Sequence, residues 1–243
     1  MLKYHQFRAR LGMGDLHPGG APATETMLRW LSERGVRRIL EVGAGIGNTS
    51  ARMVALGWEV TSIEPDPVLF TTLCRQSGVS ARCEPFLQHV ATVPYDAIVA
   101  ESVLFQLDLV QTFTRARTLL KPGGYLAFNE AVWAEKISAA QSHELHTTTA
   151  RLFGIPVGSR EPLTWRDWSD TLQSAGFETL HAELLPRGSA GHPPTANRTS
   201  SLMAVIRDPR LAMWMARYRM RKRSAPMPPG AQESWLYLGR SPA

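Results

Sequence analysis

Three glycines at alternate positions, Gly43, Gly45 and Gly47, follow the short apolar run 39–42, which carries the acid Glu41. Glycines so spaced let a chain fold back tightly and let a ligand approach main-chain N–H groups with no Cβ in the way. The spacing is G-x-G-x-G, and Asn48 stands where a dinucleotide fingerprint would carry its third glycine, which disfavours a nicotinamide cofactor. A second acid, Glu64, lies 17 residues beyond Gly47 and is followed by Pro65 and Asp66. A carboxylate can accept hydrogen bonds from two neighbouring hydroxyls at once, which neutral side chains do less well. Asp66 competes for that role but reads better as the N-cap of a helix over 67–77.

Proton transfer could fall to His17, His143, His146 or Glu130, although a structural role is the commoner fate of each type. His17 leads this group because His17-Pro18-Gly19-Gly20 before the first helix resembles a lid segment, Pro18 and Gly19-Gly20 being turn chemistry either way. His143 and His146 share a helix face but have no third partner, so no metal site is expected.

These residues need a frame to hold them. Helical patterns at 22–34, 47–56, 66–77 and 108–119 alternate with apolar runs at 37–42, 58–64, 79–83, 95–100 and 124–130. Such alternation implies a parallel sheet with right-handed crossover helices on both faces. Further helices are expected at 138–153, at 165–175 behind a Thr164 cap with Asp167 three residues on, and at 209–223 behind Asp208-Pro209. Strands are expected at 177–185 and 234–240, with 186–200 reading as a mobile loop.

The 243 residues fit one large domain. We expect a cap segment over 1–35 and a ligand-binding domain over 36–243, with helical insertions around 131–168 and 199–225. The hydrophobic share of 44% supplies a full core, and no apolar run is long enough to span a membrane. Two cysteines are too few for a disulfide framework, and the N-terminal decapeptide is charged where a secretion signal is apolar. A cytoplasmic location is therefore expected. The net charge of +6 lies wholly within 207–223, so it is a local feature and not a nucleic-acid footprint over the whole chain.

The succession from Ile39 to Gly47, Glu64, the strand 95–100, the turn 119–124, the pattern 174–178 and the terminal strand resembles the class I S-adenosylmethionine-dependent methyltransferases. The His17-Pro18-Gly19-Gly20 lead-in and the basic helix before the last strand resemble a bacterial small-molecule branch. The resemblance implies a Rossmann-like α/β sheet of seven strands, the last inserted antiparallel between the fifth and sixth. It also implies S-adenosylmethionine as cofactor, with S-adenosylhomocysteine as product. Gly43, Ala44, Gly45 and Gly47 would pass beneath its methionine part and ribose; Glu41 would orient the ammonium, or else cap local backbone; Glu64, with Pro65 beside it, would take the ribose hydroxyls. Glu84 and Phe86 would read adenine, or else be a solvated acid beside a core ring; Glu101 would touch the ammonium or substrate, or cap the next helix. Glu101-Ser102-Val103-Leu104 replaces the Asn/Asp-Pro-Pro-Tyr/Phe motif of nucleic-acid amino-methyltransferases, so nucleic acid is disfavoured. His17 would cover the cofactor as part of a lid.

The expected reaction is methyl transfer to an O or N atom of a small molecule, by a monomer or homodimer. Alternatives are cyclisation or elimination of the methyl donor and, further off, an RNA-binding methyltransferase. Trp133, Phe153, Trp165 and Trp168 are candidates for packing on substrate, though more ordinarily core. Helix 209–223 reads as docked on the sheet through Leu211, Trp214, Met215 and Tyr218; the sharper reading has Arg217, Arg219 or Arg221 gripping an anionic substrate.

Overall fold

Seven short runs of β-branched and apolar residues pair into one sheet in the order β3-β2-β1-β4-β5-β7-β6. The strands are β1 (Arg38–Val42), β2 (Glu59–Ile63), β3 (Val79–Arg82), β4 (Tyr95–Glu101), β5 (Leu120–Trp133), β6 (Glu178–Leu184) and β7 (Gln232–Arg240). The computed structural model describes residues 3–11, 17–186, 198–224 and 227–243. The first five strands are parallel, and β7 runs antiparallel to both β5 and β6. This is the mixed Rossmann-like sheet that the sequence leads one to expect.

Nine helices are described: α1 (Tyr4–Arg10), α2 (Gly20–Ser32), α3 (Asn48–Ala55), α4 (Pro67–Leu73), α5 (Leu109–Leu119), α6 (Ala139–Phe153), α7 (Trp165–Ser174), α8 (Arg198–Arg207) and α9 (Arg210–Ser224). The strand period of two sorts the sheet residues onto two cores. On one face, Leu40, Val42, Ile98, Ala100, Phe128 and Tyr237 meet Phe113 of α5 and Trp168 and Leu172 of α7. On the other, Ile39, Val99, Ala127, Leu236 and Leu238 meet Met27, Leu28, Trp30 and Leu31 of α2 and Met53 of α3. Glu41 follows the same alternation, so its side chain falls on the α2 and α3 face.

Local signals are met where a cap or turn residue decides them. Asp66 accepts from Val68 N at 2.9 Å as N-cap of α4, and Thr164 with Asp167 forms a capping box on α7. The helix α4 ends at Leu73, four residues short of the expected 77. β5 begins at Leu120, and its pairing with β4 jumps from Leu120 to Tyr125 across the expected turn, where Gly123 has φ +70.

Three differences matter for the site. The expected cap over 1–35 divides, because α2 is part of the sheet core while α1 packs elsewhere. Among the described residues helix α9 packs on α1 and outside the two sheet cores: Leu211 and Trp214 pack with Phe7 and Leu11, and Phe7 stacks on Trp214 at 5.4 Å. Helix α8 occupies the end of the expected loop 186–200; residues 187–197 lie outside the described residues.

Trp168 is fully buried and packs on Phe113 and Phe128. Trp168→Ala should cost about 3–5 kcal/mol of unfolding free energy, read by denaturant titration. A cost under about 1 kcal/mol would contradict this packing.

Candidate functional site

From β1 the chain winds outward through β2 and β3 and then returns to the other side of β1 as β4, so the strand order switches between β1 and β4, where open α/β sheets form a ligand crevice. A cavity of about 980 Å³ lies there, lined by the turn after β1, the turns after β2 and β4, α1, and residues around the end of α6.

The turn after β1 is held by backbone and by a buried acid. Gly43 N and Ala44 N donate to Ile63 O at 2.9 and 3.1 Å, tying the turn to the end of β2. Gly45 N donates to Glu64 Oε2 at 2.8 Å, and Asp66 N donates to Glu64 Oε1 at 2.8 Å. Gly43 and Gly45 have φ +68 and +59, a region that side chains rarely adopt. A Cβ on Gly43 would strike Val103 at 2.7 Å; one on Gly45 would meet nothing within 4 Å, and Gly45 lines the cavity. Gly47 differs. It does not line the cavity, and a Cβ there would strike Gln76 and Leu73 at 2.7 and 2.8 Å. The third glycine therefore packs the turn against the α4 region.

Glu41, Glu64, Pro65 and Glu101 all line the cavity, together with Gly43, Ala44 and Gly45. Glu41 accepts hydrogen bonds from Ser50 and Ser62 hydroxyls. Burial pushes its carboxyl up to about 7 against the pull of those two donors. Burial likewise pushes Glu64 up to about 7, against the two backbone donors it accepts. Asp66 behaves oppositely: burial raises it, but hydrogen bonds from His5, Gln6 and Val68 N outweigh burial and hold it below the usual carboxylate value.

Glu101 sits in a buried polar knot. Its Oε1 accepts from Thr24 at 2.8 Å and Asn129 Nδ2 at 3.0 Å, and its Oε2 accepts from Thr49 at 2.6 Å. His17 Nδ1 lies 3.4 Å from Glu101 Oε1, and His17 Nε2 lies 3.2 Å from the Thr24 hydroxyl. With that hydroxyl donating to Glu101, Nε2 is assigned as its donor. His17 lines the cavity. The other proposed bases do not: His143 accepts from Arg160, and His146 lies 2.9 Å from Gly158 O.

Glu130 supports a neighbouring turn. Its Oε1 accepts from Val103 N and Leu104 N at 2.9 and 2.6 Å, and it is absent from the cavity lining. It thereby fixes the turn after β4, where Ser102 takes φ +55. Burial pushes Glu130 up to about 8.

Glu84 and Phe86 are not brought to the cavity. Glu84 lies 2.6 Å from His89 Nδ1, whose Nε2 lies 3.0 Å from the Tyr95 hydroxyl, and Phe86 is buried in the sheet core. His89, five residues on, is the signal that could have shown Glu84 already engaged. Trp133 and Trp168 are fully buried core, Trp165 stacks on Trp235, and Phe153 does line the cavity. Tyr4, His5 and Tyr218 line it too, Tyr218 having been read only as a docking residue and Tyr4 and His5 not at all. Arg217 and Arg219 do not line it, and the side chain of Arg221 lies outside the described residues. Among the described residues no cluster of His, Cys, Asp or Glu could hold a metal ion.

The raised carboxyls set a pH dependence. Glu41, Glu64 and Glu130 bind protons more tightly folded than unfolded, so folding takes up protons between pH 4.5 and about 8. Stability then falls as pH rises through that window. The melting temperature of the ligand-free protein should therefore rise from pH 8 to pH 6, and Glu130→Gln should flatten that slope. A wild-type profile that is level, or an unchanged slope in the variant, would contradict the assignment.

The cavity fits S-adenosylmethionine: a glycine faces it with room for a ligand, and four carboxylates line it, suiting a cationic ammonium and sulfonium. A methyltransferase-domain family model matches residues 40–126. An uncharacterized methyltransferase of Bacillus subtilis (strain 168), YodH, is 24% identical over 202 residues, covering 80% of this chain and 83% of YodH. A putative sarcosine dimethylglycine methyltransferase from Galdieria sulphuraria superposes with TM-score 0.66 at 16% identity, covering 97% of each chain. The N-methyltransferase NodS from Bradyrhizobium japonicum WM9, solved with S-adenosylhomocysteine, superposes with TM-score 0.58 at 18% identity, covering 99% of this chain and 98% of that one. The methyltransferase-domain match over 40–126, the relative and the shared fold agree with the site and support a class I S-adenosylmethionine-dependent methyltransferase with S-adenosylmethionine as its cofactor.

Proposed function

We propose that this enzyme methylates an oxygen or nitrogen atom of a small-molecule metabolite, as a cytoplasmic enzyme of the bacterial small-molecule type. The observation that carries the reading is the buried Glu64 carboxylate, which holds Gly45 N while lining the same cavity. Glu64 retains lone pairs that would take the ribose hydroxyls, with Pro65 flanking it, and Glu41 with Glu101 would hold the methionine ammonium. Gly43, Ala44 and Gly45 supply the close backbone approach. When bound, S-adenosylmethionine supplies a sulfonium methyl group that an O or N lone pair can take. The protein's share is alignment and exclusion of water.

His17 is the residue we assign to proton uptake, because of the four candidate bases it alone lines the cavity, with its Nδ1 3.4 Å from Glu101 Oε1. Helix α1 serves as the covering element: His5 and Gln6 fasten it to Asp66 through hydrogen bonds of 3.0 and 2.7 Å.

Calorimetry with S-adenosylhomocysteine tests the cofactor assignment. Glu64→Ala should weaken binding at least tenfold, about 1.4 kcal/mol. Unchanged affinity would remove Glu64 from the site. Because Glu41 and Glu64 lie near 7 and a cationic ligand favours their ionised forms, S-adenosylmethionine binding should release protons at pH 6.5. Heats measured in two buffers of different ionisation enthalpy would show it, and identical heats would contradict it. An acceptor screen should yield S-adenosylhomocysteine; methylthioadenosine would contradict methyl transfer. With an acceptor so found, His17→Gln should lower kcat about 100-fold at unchanged S-adenosylhomocysteine affinity. An unchanged kcat would exclude His17 from proton transfer.

A further inference from the structure

The four carboxylates that line the cavity, Glu41, Glu64, Asp66 and Glu101, all sit on strand ends or the turns that follow them. The helical part of the lining has a different character. Tyr4 of α1, Phe153 of α6 and Tyr218 of α9 each bring a ring to the cavity, and the three rings touch one another. Tyr4 and Tyr218 stack at 4.7 Å, and Phe153 meets them edge-on at 6.3 and 5.5 Å. Three helices far apart in sequence thus converge on one aromatic cluster.

Polar groups beside this cluster are already engaged. The Thr149 hydroxyl donates to Leu145 O at 2.6 Å and accepts from Val157 N, and Gln232 Nε2 donates to Val157 O at 2.7 Å. What the cluster itself and its neighbours Ile155, Pro156 and Val157 offer a ligand is ring and aliphatic surface. Charge narrows the choice. The Arg8 guanidinium donates to the Tyr4 hydroxyl at 2.6 Å and lies 5.5 Å from that ring, and no lining carboxylate lies on these helices. A cationic acceptor would meet a like charge there with no counter-ion. Lys3, the N-cap of α1, lines the cavity beside Tyr4 and adds a second positive charge on this side.

We propose that this cavity takes an aromatic acceptor that is not a cation, a phenol or aryl amine, with its ring packed against Phe153 and Tyr218. This rests on the methyl-transfer reading above and names its substrate class. Flat rings gain from offset and edge contacts with such a cluster beyond simple burial. Burial and the neighbouring Tyr4 push the Tyr218 phenol upward, so it stays a neutral group beside the ring.

The test is equilibrium binding of 2-naphthol and its saturated analogue decahydro-2-naphthol to the full-length protein saturated with S-adenosylhomocysteine. The wild type should bind 2-naphthol at least tenfold more tightly than the saturated alcohol. Phe153→Leu and Tyr218→Leu should each weaken 2-naphthol at least fivefold while S-adenosylhomocysteine affinity stays within twofold. Equal binding of the two alcohols by the wild type would overturn the proposal without any variant. So would naphthol affinity indifferent to both substitutions while S-adenosylhomocysteine still binds. Failure of the wild type to bind S-adenosylhomocysteine would overturn the cofactor assignment and this proposal together.

Discussion

A single hydrogen bond, from Gly45 N to the Glu64 carboxylate at 2.8 Å, joins the turn after β1 to the turn after β2 and gives the cavity its floor. It depends on the register of the sheet. Val42 pairs with Ile63, so the chain leaves both strands side by side, and Ile63 O can accept from Gly43 N and Ala44 N. It depends equally on burial. A carboxylate this enclosed needs donors, and in the ligand-free protein it finds them in two main-chain N–H groups. The same oxygens keep unused lone pairs, so one residue both shapes the turn and remains available to a ligand.

The opposite wall is built by the same means. Glu130 accepts from Val103 N and Leu104 N and holds the turn after β4, and Ser102 N donates to Asn129 O at 2.9 Å. Val103 then fills the space that a side chain on Gly43 would need. The two turns are therefore fitted to one another, and the glycine is required by the neighbouring wall as much as by any ligand. Helices α1 and α9 complete the enclosure through contacts with one another, so the covering part of the cavity is a unit separate from the sheet core.

The sheet, the glycine turn and Glu64 were legible because each is a local pattern: period-two alternation, alternate glycines, an acid at a strand end. What escaped reading depends on contacts between distant segments. Glu84 stands where the resemblance implies a cofactor contact, but His89, itself held by the Tyr95 hydroxyl, captures it. Gly47 belongs to the glycine run yet serves packing, which only the approach of Gln76 and Leu73 reveals. Helix α1 has seven residues and one fully buried side chain, Phe7, too little periodicity to announce a helix. Tyr218 was visible as part of an apolar helix face, but whether that face met sheet, solvent or cavity was set by α1. The arginines of the same helix drew attention through charge, while its ring is what reaches the cavity.

Selective 15N-glycine labelling would test the central claim most directly, because Gly43 and Gly45 line the cavity while Gly57 and Gly123 do not. Titration with S-adenosylhomocysteine should shift the Gly43 and Gly45 amide signals and leave those of Gly57 and Gly123 in place. Unmoved Gly43 and Gly45 signals under S-adenosylhomocysteine, with shifts produced instead by a nicotinamide dinucleotide, would contradict the account.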